Sequence, residues 1–281
     1  MFAIEEFLAL VEAPIYVVLI LAEIFASHYF NRKIYDLKDT GVNVAFTSLN
    51  LGLDILLKGF NIGLLHWINQ FAFISWQSGI LYWIALLIAV DFMFYCLHWV
   101  DHRVRFFWAI HLTHHSSEMF NFTTGFRSSV FQPLYRVVYF FPLAILGFDG
   151  FDIMLMYALT QFYGIFVHTK FVRNLGFIEW FMVTPSHHRV HHASNPRYLD
   201  RNIGMVFIFW DRLFGTFTPE TEQPVFGLTK NVGSNNPFDH IGYEWKKMWA
   251  DIHKPVSFKH KLMYIFGPPG WSHDKSRLTL K

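Results

Sequence analysis

Four apolar runs constrain this chain most strongly, because each is close to the roughly 20 residues that a helix needs to cross a lipid bilayer. Charged residues make up 16% of the sequence, whereas a soluble domain carries roughly a quarter. Much of the protein surface must therefore face something other than water. We predict an all-α integral membrane protein with about four transmembrane helices plus interfacial helices. The four runs are Ala13–Phe30, Ile80–Val100, Ser129–Phe148 and Phe151–His168.

The region Gly41–Trp76 is also apolar, but Asp54, Lys58 and Asn61 interrupt it. It is too long for one spanning helix, so we expect one crossing together with an interfacial or re-entrant helix. The acidic start of the chain lacks the basic residues of a secretory signal, and we interpret the first run as a retained anchor. We expect a single domain, with N-terminal anchors in 1–90, a catalytic core in 91–217 and a C-terminal tail in 218–281.

Histidines are concentrated in two short blocks, residues 98–115 and 187–192. The blocks hold nine of the 16 histidines, although only about 1.4 would be expected by chance in a stretch of that total length. Nine imidazoles at one membrane surface would repel one another when protonated and leave polar nitrogens unpaired when neutral. Metal binding removes both problems, so the blocks predict a metal site.

The spacing of these histidines suits helices. His98 and His102 lie at i and i+4 and therefore share one helix face. His114 and His115 are adjacent and point about 100° apart, which lets them reach two neighbouring metals. The last block, His187-His188-Arg-Val-His191-His192, repeats the pattern of His111-Leu-Thr-His114-His115.

The number of imidazoles indicates two metals. Nine or ten ligands exceed the roughly four of a structural zinc ion, whereas two metals with four or five ligands each would use them all. Imidazole binds zinc, copper, iron or nickel, so ligand type leaves the metal open. His168, at the end of a predicted span, is one more candidate. Six isolated histidines fit hydrogen-bonded structural roles instead: His28, His66, His240, His253, His260 and His273.

The two histidine blocks must lie on one side of the membrane if they share a site. The intervening residues Ser129–Val167 suit a hairpin of two crossings with its turn near Phe148–Gly150. Positive charge concentrates on the same side, which predicts a cytoplasmic histidine-rich cap. This membrane would be the endoplasmic reticulum in a eukaryote and the inner membrane in a bacterium. The charges are Arg103, Arg105, Arg127, Lys170, Arg173, Arg189, Arg197, Arg201 and Arg212.

Charge and cysteine content exclude other classes. A net charge of +2 is too small to indicate nucleic acid binding. The one cysteine, Cys96, lies inside an apolar run, so the chain can form neither a disulfide framework nor a thiolate metal site.

The histidine segments resemble the fatty acid hydroxylase / sterol desaturase superfamily, whose pattern is HxxxH, HxxHH and HxxHH. The flanking residues are similar to its alkylglycerol monooxygenase branch, and the likeness extends roughly over residues 91–280. The segments that carry it are His111–Ser129 (HLTHHSSEMFNFTTGFRSS), Thr184–Asn195 (TPSHHRVHHASN), Ile208–Phe217 (IFWDRLFGTF) and Gly267–Leu280 (GPPGWSHDKSRLTL).

The resemblance implies a di-iron centre, with His168 and His187 as additions to its ligands. Fatty acid hydroxylases of the superfamily have a further histidine four residues after the position of His168, where this chain has Val172. The implied ligands are His98, His102, His111, His114, His115, His188, His191 and His192.

Five polar residues near these histidines are candidates for orienting the imidazole rings by accepting the other ring N–H. Asp91 stands out, because it lies seven residues before His98 on the same helix face of an apolar run. The five are Asp91, Tyr95, Glu118, Asn121 and Asp211.

The resemblance implies a monooxygenase that hydroxylates a lipid C–H bond with O2, at the ether-linked carbon of alkylglycerols, and releases a fatty aldehyde. It implies tetrahydrobiopterin as reductant, although no residue is assigned to a pterin site, and an electron-transfer protein is the alternative. Other lipids remain open as substrates of a hydroxylase or desaturase: a sterol, sphingolipid, carotenoid or ornithine lipid. A zinc-handling membrane protein is the alternative outside enzymes.

Overall fold

The computed structural model describes residues 2–277, with side chains from residue 10 onward. The last four residues of the predicted tail, including the end of the segment that resembles the superfamily, lie outside the described residues. The regular secondary structure of the described residues is helical, with two isolated β-bridges in the irregular segments. Its α-helices are α1 (Phe2–Tyr29), α2 (Leu37–Asn69), α3 (Ile80–Arg103), α4 (Arg105–His115), α5 (Phe122–Gly125), α6 (Phe141–Ile145), α7 (Gly150–Phe166), α8 (Pro185–His191), α9 (Phe209–Phe214), α10 (Pro237–Ile252) and α11 (Phe258–Phe266).

Three helices are long and apolar enough to cross a membrane: Leu10–Tyr29 within α1, then α2 and α3. Large apolar side chains on them remain exposed, such as Leu21 at 60% and Ile55 at 68%. A contiguous exposed apolar surface of this kind marks contact with lipid. The prediction of an all-helical membrane protein is therefore confirmed.

The predicted break in the second apolar region is wrong. Instead of a span plus a separate helix, the chain forms the single 33-residue helix α2. Asp36 caps its start by accepting hydrogen bonds from the Lys38 and Asp39 backbone N–H groups. At 1.5 Å per residue α2 is about 50 Å long and exceeds a bilayer core of about 30 Å. Its first turns pack beside the histidine region, where the Asn43 amide donates to the Thr123 hydroxyl.

The predicted hairpin also takes another form. Residues 129–148 break into two short 3-10 helices followed by α6. Pro133 and Pro142 lie at the starts of these segments, and a proline cannot donate the backbone hydrogen bond that a continuous helix needs. The 17-residue α7 follows and packs against α2 and α3. Within the described residues we therefore find three candidate spans, where the sequence predicted about four.

A buried ion-pair network joins the C-terminal helices to α4. The Arg105 guanidinium, 1% exposed, donates to Glu244 at 2.7 Å and to Asp251 at 2.8 Å. Arg277 donates to the same Asp251 carboxylate. Removing one partner of such a buried pair is strongly destabilising, because it leaves the other charge buried without a counter-ion. The network therefore fixes α10 and α11 against the helix that carries three of the clustered histidines.

Candidate metal centre

Four separate segments bring the clustered histidines together. The cytoplasm-facing end predicted for α3 carries His98 and His102, one turn apart on one face. Helix α4 supplies His111, His114 and His115. Helix α8 and its C-cap supply the last block, residues 187–192. His168 follows directly after α7. All nine of the histidines discussed next are buried or half-buried.

The rings form two adjacent groups. Each ring offers one nitrogen as a ligand atom, and within each group these nitrogens all lie within 4.8 Å of one another. His114 and His115 fall into different groups, as the 100° offset between neighbouring helix residues predicts. The five-histidine group is His98, His102, His111, His115 and His191; the four-histidine group is His114, His168, His188 and His192.

Backbone carbonyls set the tautomers of several rings. The Nδ1 atoms of His98, His114 and His168 lie 2.7, 2.8 and 2.7 Å from the carbonyl oxygens of Ile203, Arg127 and Gly164. A carbonyl oxygen only accepts, so Nδ1 carries the hydrogen in each ring. The Nε2 atom of each neutral ring is then left with a bare lone pair, which is the form that binds a metal.

These Nε2 atoms face one another. The Nε2 of His98 lies 3.1 Å from that of His111, and the Nε2 of His168 lies 2.9 Å from that of His188. Lone pairs at that separation repel unless a cation or proton lies between them. Among the described residues, His191 Nε2 is also buried without a hydrogen-bond partner. The donor set and these orphaned nitrogens fit a cation in each group.

Protons are a poor substitute for that cation. Burial, followed by the neighbouring imidazoles, lowers the pKa of His111, His115 and His192 well below the ordinary value for histidine. Burial likewise lowers the pKa of His114 to about 4. The rings are therefore neutral near pH 7, as metal ligands must be.

Side chains orient further rings of the five-histidine group. His102 Nδ1 donates to the Asp200 carboxylate at 3.3 Å. The Nδ1 of His111 lies 2.9 Å from the Ser129 hydroxyl and 3.6 Å from the Asp101 carboxylate. Carboxylates in this position raise the basicity of a ligating imidazole. Sequence reasoning missed all three residues, although Asp101 adjoins His102 and could have been considered.

His187, predicted as an additional ligand, lies outside both groups. Its Nδ1 accepts a hydrogen bond from the Thr184 backbone N–H at 3.3 Å, and its Nε2 lies 4.0 Å from Glu179. This reciprocal contact caps the start of α8. The ring points away because its neighbour His188, about 100° farther around the helix, faces the group. His168 does join a group, and Val172 is 38% exposed.

Two of the five predicted ring-orienting residues, Asp91 and Asp211, support a ring indirectly. Asp91 accepts from the backbone N–H groups of Val206 and Phe207 and from the Trp210 indole. Asp211 accepts from the backbone N–H of Ile203, whose carbonyl accepts from His98. These carboxylates hold the chain segment that orients the ring and have no hydrogen bond to a ring themselves.

The other three predictions have different outcomes. Tyr95 shares a hydrogen bond with Thr216, which donates to Asp211, and so belongs to the same network. Asn121 caps α5 and donates to the Ile34 carbonyl, which is a structural role. Glu118 is exposed. No hydrogen bond among the described residues joins Asn121 or Glu118 to an imidazole, and a ring-orienting role for either stays a prediction.

Among the described residues, two cavities that reach the histidines share no lining residue. The larger, about 600 Å³, lies between α1, α2, α3 and α7. We call it the membrane cavity, and its histidines are His98, His111, His114, His168 and His188. The smaller, about 120 Å³, is bordered by Trp108, Tyr243, Glu244 and Asp200. We call it the polar pocket, and its histidines are His102, His115, His191 and His192.

Comparison with known proteins adds an independent line of observation. A family model for fatty acid hydroxylase matches residues 83–216. Alkylglycerol monooxygenase of Xenopus tropicalis is 37% identical over 85% of this chain and 55% of that protein. The human alkylglycerol monooxygenase is 39% identical over 69% of this chain and 43% of that protein.

An ornithine lipid hydroxylase of Rhizobium tropici is 28% identical over 56% of this chain and 48% of that protein. The chain spans about half the length of the alkylglycerol monooxygenases it matches. No solved structure matches it. The matched residues 83–216 contain all nine histidines of the two groups. On this pattern and these relatives, the chain belongs to the fatty acid hydroxylase family.

Proposed function

We propose that this chain is a membrane di-iron monooxygenase that hydroxylates the ether-linked carbon of an alkylglycerol. The observation that carries the proposal is the pair of adjacent histidine groups bordering a large, mostly apolar cavity between membrane helices. A lipid chain could enter this cavity directly from the bilayer. Similarity to alkylglycerol monooxygenases supports the choice of substrate.

The nine histidines of the two groups would hold the iron ions, and His187 would not. When bound, the two ions would supply the redox chemistry that O2 activation requires. The protein's own contribution is positional: the cavity wall orients the lipid so that one C–H bond lies beside His98, His111 and His114. Burial of His98 and His111 also excludes water from the reacting region.

The reaction balances with an external reductant. One oxygen atom of O2 is inserted into the C–H bond, and the other leaves as water with two electrons and two protons from the reductant. The hydroxylated carbon then carries both a hydroxyl and the ether oxygen. This hemiacetal loses its C–O bond to glycerol and becomes a fatty aldehyde.

The polar pocket is where we place a tetrahydropterin reductant. Its aromatic rings and carboxylates suit a flat, N–H-rich molecule, and the Trp108 ring lies 5.3 Å from the His102 ring. A Trp108→Leu variant should raise the KM for tetrahydropterin roughly tenfold, as expected for loss of one aromatic contact, without changing the KM for the lipid. An unchanged pterin KM would favour an electron-transfer protein as reductant.

The histidine groups lie on the cytoplasmic side in this proposal. Support comes from the arginines around them, because positively charged segments remain cytoplasmic. Arg127 is buried beside His114, and Arg189 is buried within the last histidine block, where it donates to the Thr169 carbonyl. Labelling of a single cysteine introduced at exposed Lys230 should occur only from the cytoplasmic side; labelling from the other side would reverse this orientation.

The deciding experiment incubates iron-loaded protein with O2, tetrahydropterin and a 1-O-alkylglycerol, and measures fatty aldehyde. Aldehyde formation that depends on His115 and on the pterin is the expected result. No aldehyde from a protein that carries two irons would redirect the assignment to another lipid, for which ornithine lipid is the first candidate because of the Rhizobium relative. A protein that binds zinc alone and stays inert with iron would favour a zinc-handling role.

A further inference from the structure

Helix α2 carries a row of polar residues through its membrane span. Thr47, Asn50, Asp54, Lys58 and Asn61 recur every three or four residues and all border the membrane cavity. Such spacing places them on one face of the helix. Polar side chains inside a span are costly unless they line a cavity or bind something there. We call this row the polar stripe.

The stripe begins at the level of the histidines. The Thr47 hydroxyl donates to the Phe126 carbonyl at 2.8 Å, and the Asn50 amide donates to the Ser129 carbonyl at 3.0 Å. Ser129 is the residue whose hydroxyl contacts the His111 ring. At 1.5 Å per residue, Asp54 lies about 6 Å farther along the helix than Asn50. The middle of the stripe therefore lies about one helical turn beyond the residue that contacts the histidine region.

An ion pair with spare hydrogen-bonding capacity lies at this middle point. The Asp54 carboxylate accepts from Arg136, which is 7% exposed and also donates to the Tyr157 hydroxyl at 3.2 Å. Among the described residues, Arg136 Nε and Gln161 Nε2 are buried donors without an acceptor. Both residues border the membrane cavity. Ordered water or the polar group of a bound lipid would satisfy such donors.

Much of the remaining cavity wall is apolar. Helix α7 contributes Leu155, Ala158, Phe162 and Ile165 to it, alongside the polar Gln161. The cavity is thus amphipathic, with a cluster of hydrogen-bonding groups set in a largely hydrocarbon wall. This combination matches a lipid with a compact polar headgroup and a long alkyl chain.

We propose that Asp54, Arg136 and Gln161 form a headgroup subsite that binds the free hydroxyl groups of the lipid substrate. Arg136 and Gln161 donate to hydroxyl oxygens, and Asp54 accepts from a hydroxyl hydrogen. The Asp54–Arg136 pair carries no net charge, and the other two charged residues of the cavity lining, Glu12 and Lys58, have opposite signs. Because the lining has no excess positive charge, the subsite selects an uncharged polyol over a phosphorylated headgroup. By fixing the headgroup, it determines which carbon lies beside the histidines. This inference rests on the proposed function, whose substrate it makes specific.

The test measures binding without turnover. Iron-loaded protein in phosphatidylcholine nanodiscs is titrated anaerobically with 1-O-hexadecylglycerol, with hexadecyl methyl ether and with 1-O-hexadecylglycerol phosphate. Wild-type protein should bind the glycerol about tenfold more tightly than the methyl ether, as two hydrogen bonds allow. The Gln161→Leu and Asp54→Asn variants should reduce this preference to about threefold or less while their affinity for the methyl ether stays unchanged.

A matched control is Gln223→Leu, which changes an exposed glutamine outside the cavity and should retain the wild-type preference. Iron content and the unfolding temperature establish that each variant is folded. An unchanged preference in both cavity variants would overturn the subsite, as would tighter binding of the phosphate than of the free glycerol. Selective binding without aldehyde formation would sustain the subsite and count against the proposed oxidation, so the two failures remain distinct.

Discussion

The five-histidine and four-histidine groups differ in what surrounds their rings. Carboxylates of Asp101 and Asp200 lie beside rings of the first group. In the second group, His114 and His168 donate to backbone carbonyls. The second group also has one ligand fewer, and three of its four rings border the membrane cavity. We infer that the five-histidine group binds its metal more tightly. The four-histidine group, with fewer ligands, leaves an open coordination position for O2 beside the substrate cavity.

Adjacent histidines on α4 allow the two groups to be separated directly. His114→Ala should leave one iron per chain, because three ligands remain in its group. His115→Ala should retain more than one iron per chain, because four ligands remain in the five-histidine group and hold part of its iron. Both should lower kcat by more than the roughly 10–100-fold that loss of an outer hydrogen-bond partner costs. Metal analysis of the purified variants checks this; equal iron content in the two would remove the distinction between the groups.

A carboxylate variant probes the first group alone. Asp200→Asn leaves every ligand in place but weakens the acceptor for His102 Nδ1. We expect about a 10–100-fold loss of iron affinity at one of the two sites. Chelator competition measures it, with Asp274→Asn in an exposed loop as the matched control. Weakening of both sites together would mean that the groups do not bind independently.

His187 and His188 are neighbours with opposite expected behaviour. His187→Ala should retain both irons and lose about 1 kcal/mol of stability, since it removes a helix-capping contact. His188→Ala should lose iron from the four-histidine group. Metal analysis and thermal unfolding of the pair give the answer. Iron loss in His187→Ala would return that residue to the ligand set.

The smallest effect is expected at Glu118, which lies near the four-histidine group in sequence but is exposed. Glu118→Gln should leave the iron content unchanged. It should change the free energy of unfolding by less than about 0.5 kcal/mol, as is usual for exposed positions. Asn121→Ala, by contrast, removes the cap of α5 and should cost about 1 kcal/mol. A large effect of Glu118→Gln on activity would show a role that the hydrogen bonds do not include.

Much of the fold and site could be predicted because the signals were local. Helical spacing alone separated His114 from His115, and apolar length alone identified α1 and α3. The predictions that failed concerned features that depend on tertiary contacts. The sequence of α2 looks interrupted because Asp54 and Asn61 face a cavity that forms only when other helices pack there.

The ring partners were hidden for another reason. Ile203, Gly164 and Arg201 contact histidine rings through their backbone carbonyl oxygens. Every residue has such a carbonyl, so the identity of a side chain cannot predict which residue orients a ring. Asp91 and Asp211 were recognised as unusual, but sequence spacing could not tell a group that touches a ring from one that holds the loop behind it.

The histidine rings come from four segments of the chain and are 2–6% exposed in the five-histidine group. Without the metal that these groups are proposed to hold, the centre would consist of mutually repelling lone pairs, with no solvent to relieve them. Such a chain opens more readily, and opened membrane proteins are removed by proteases. The amount of this protein in a membrane would then follow the supply of that metal, so that scarcity lowers the number of copies instead of leaving a reserve of inactive ones.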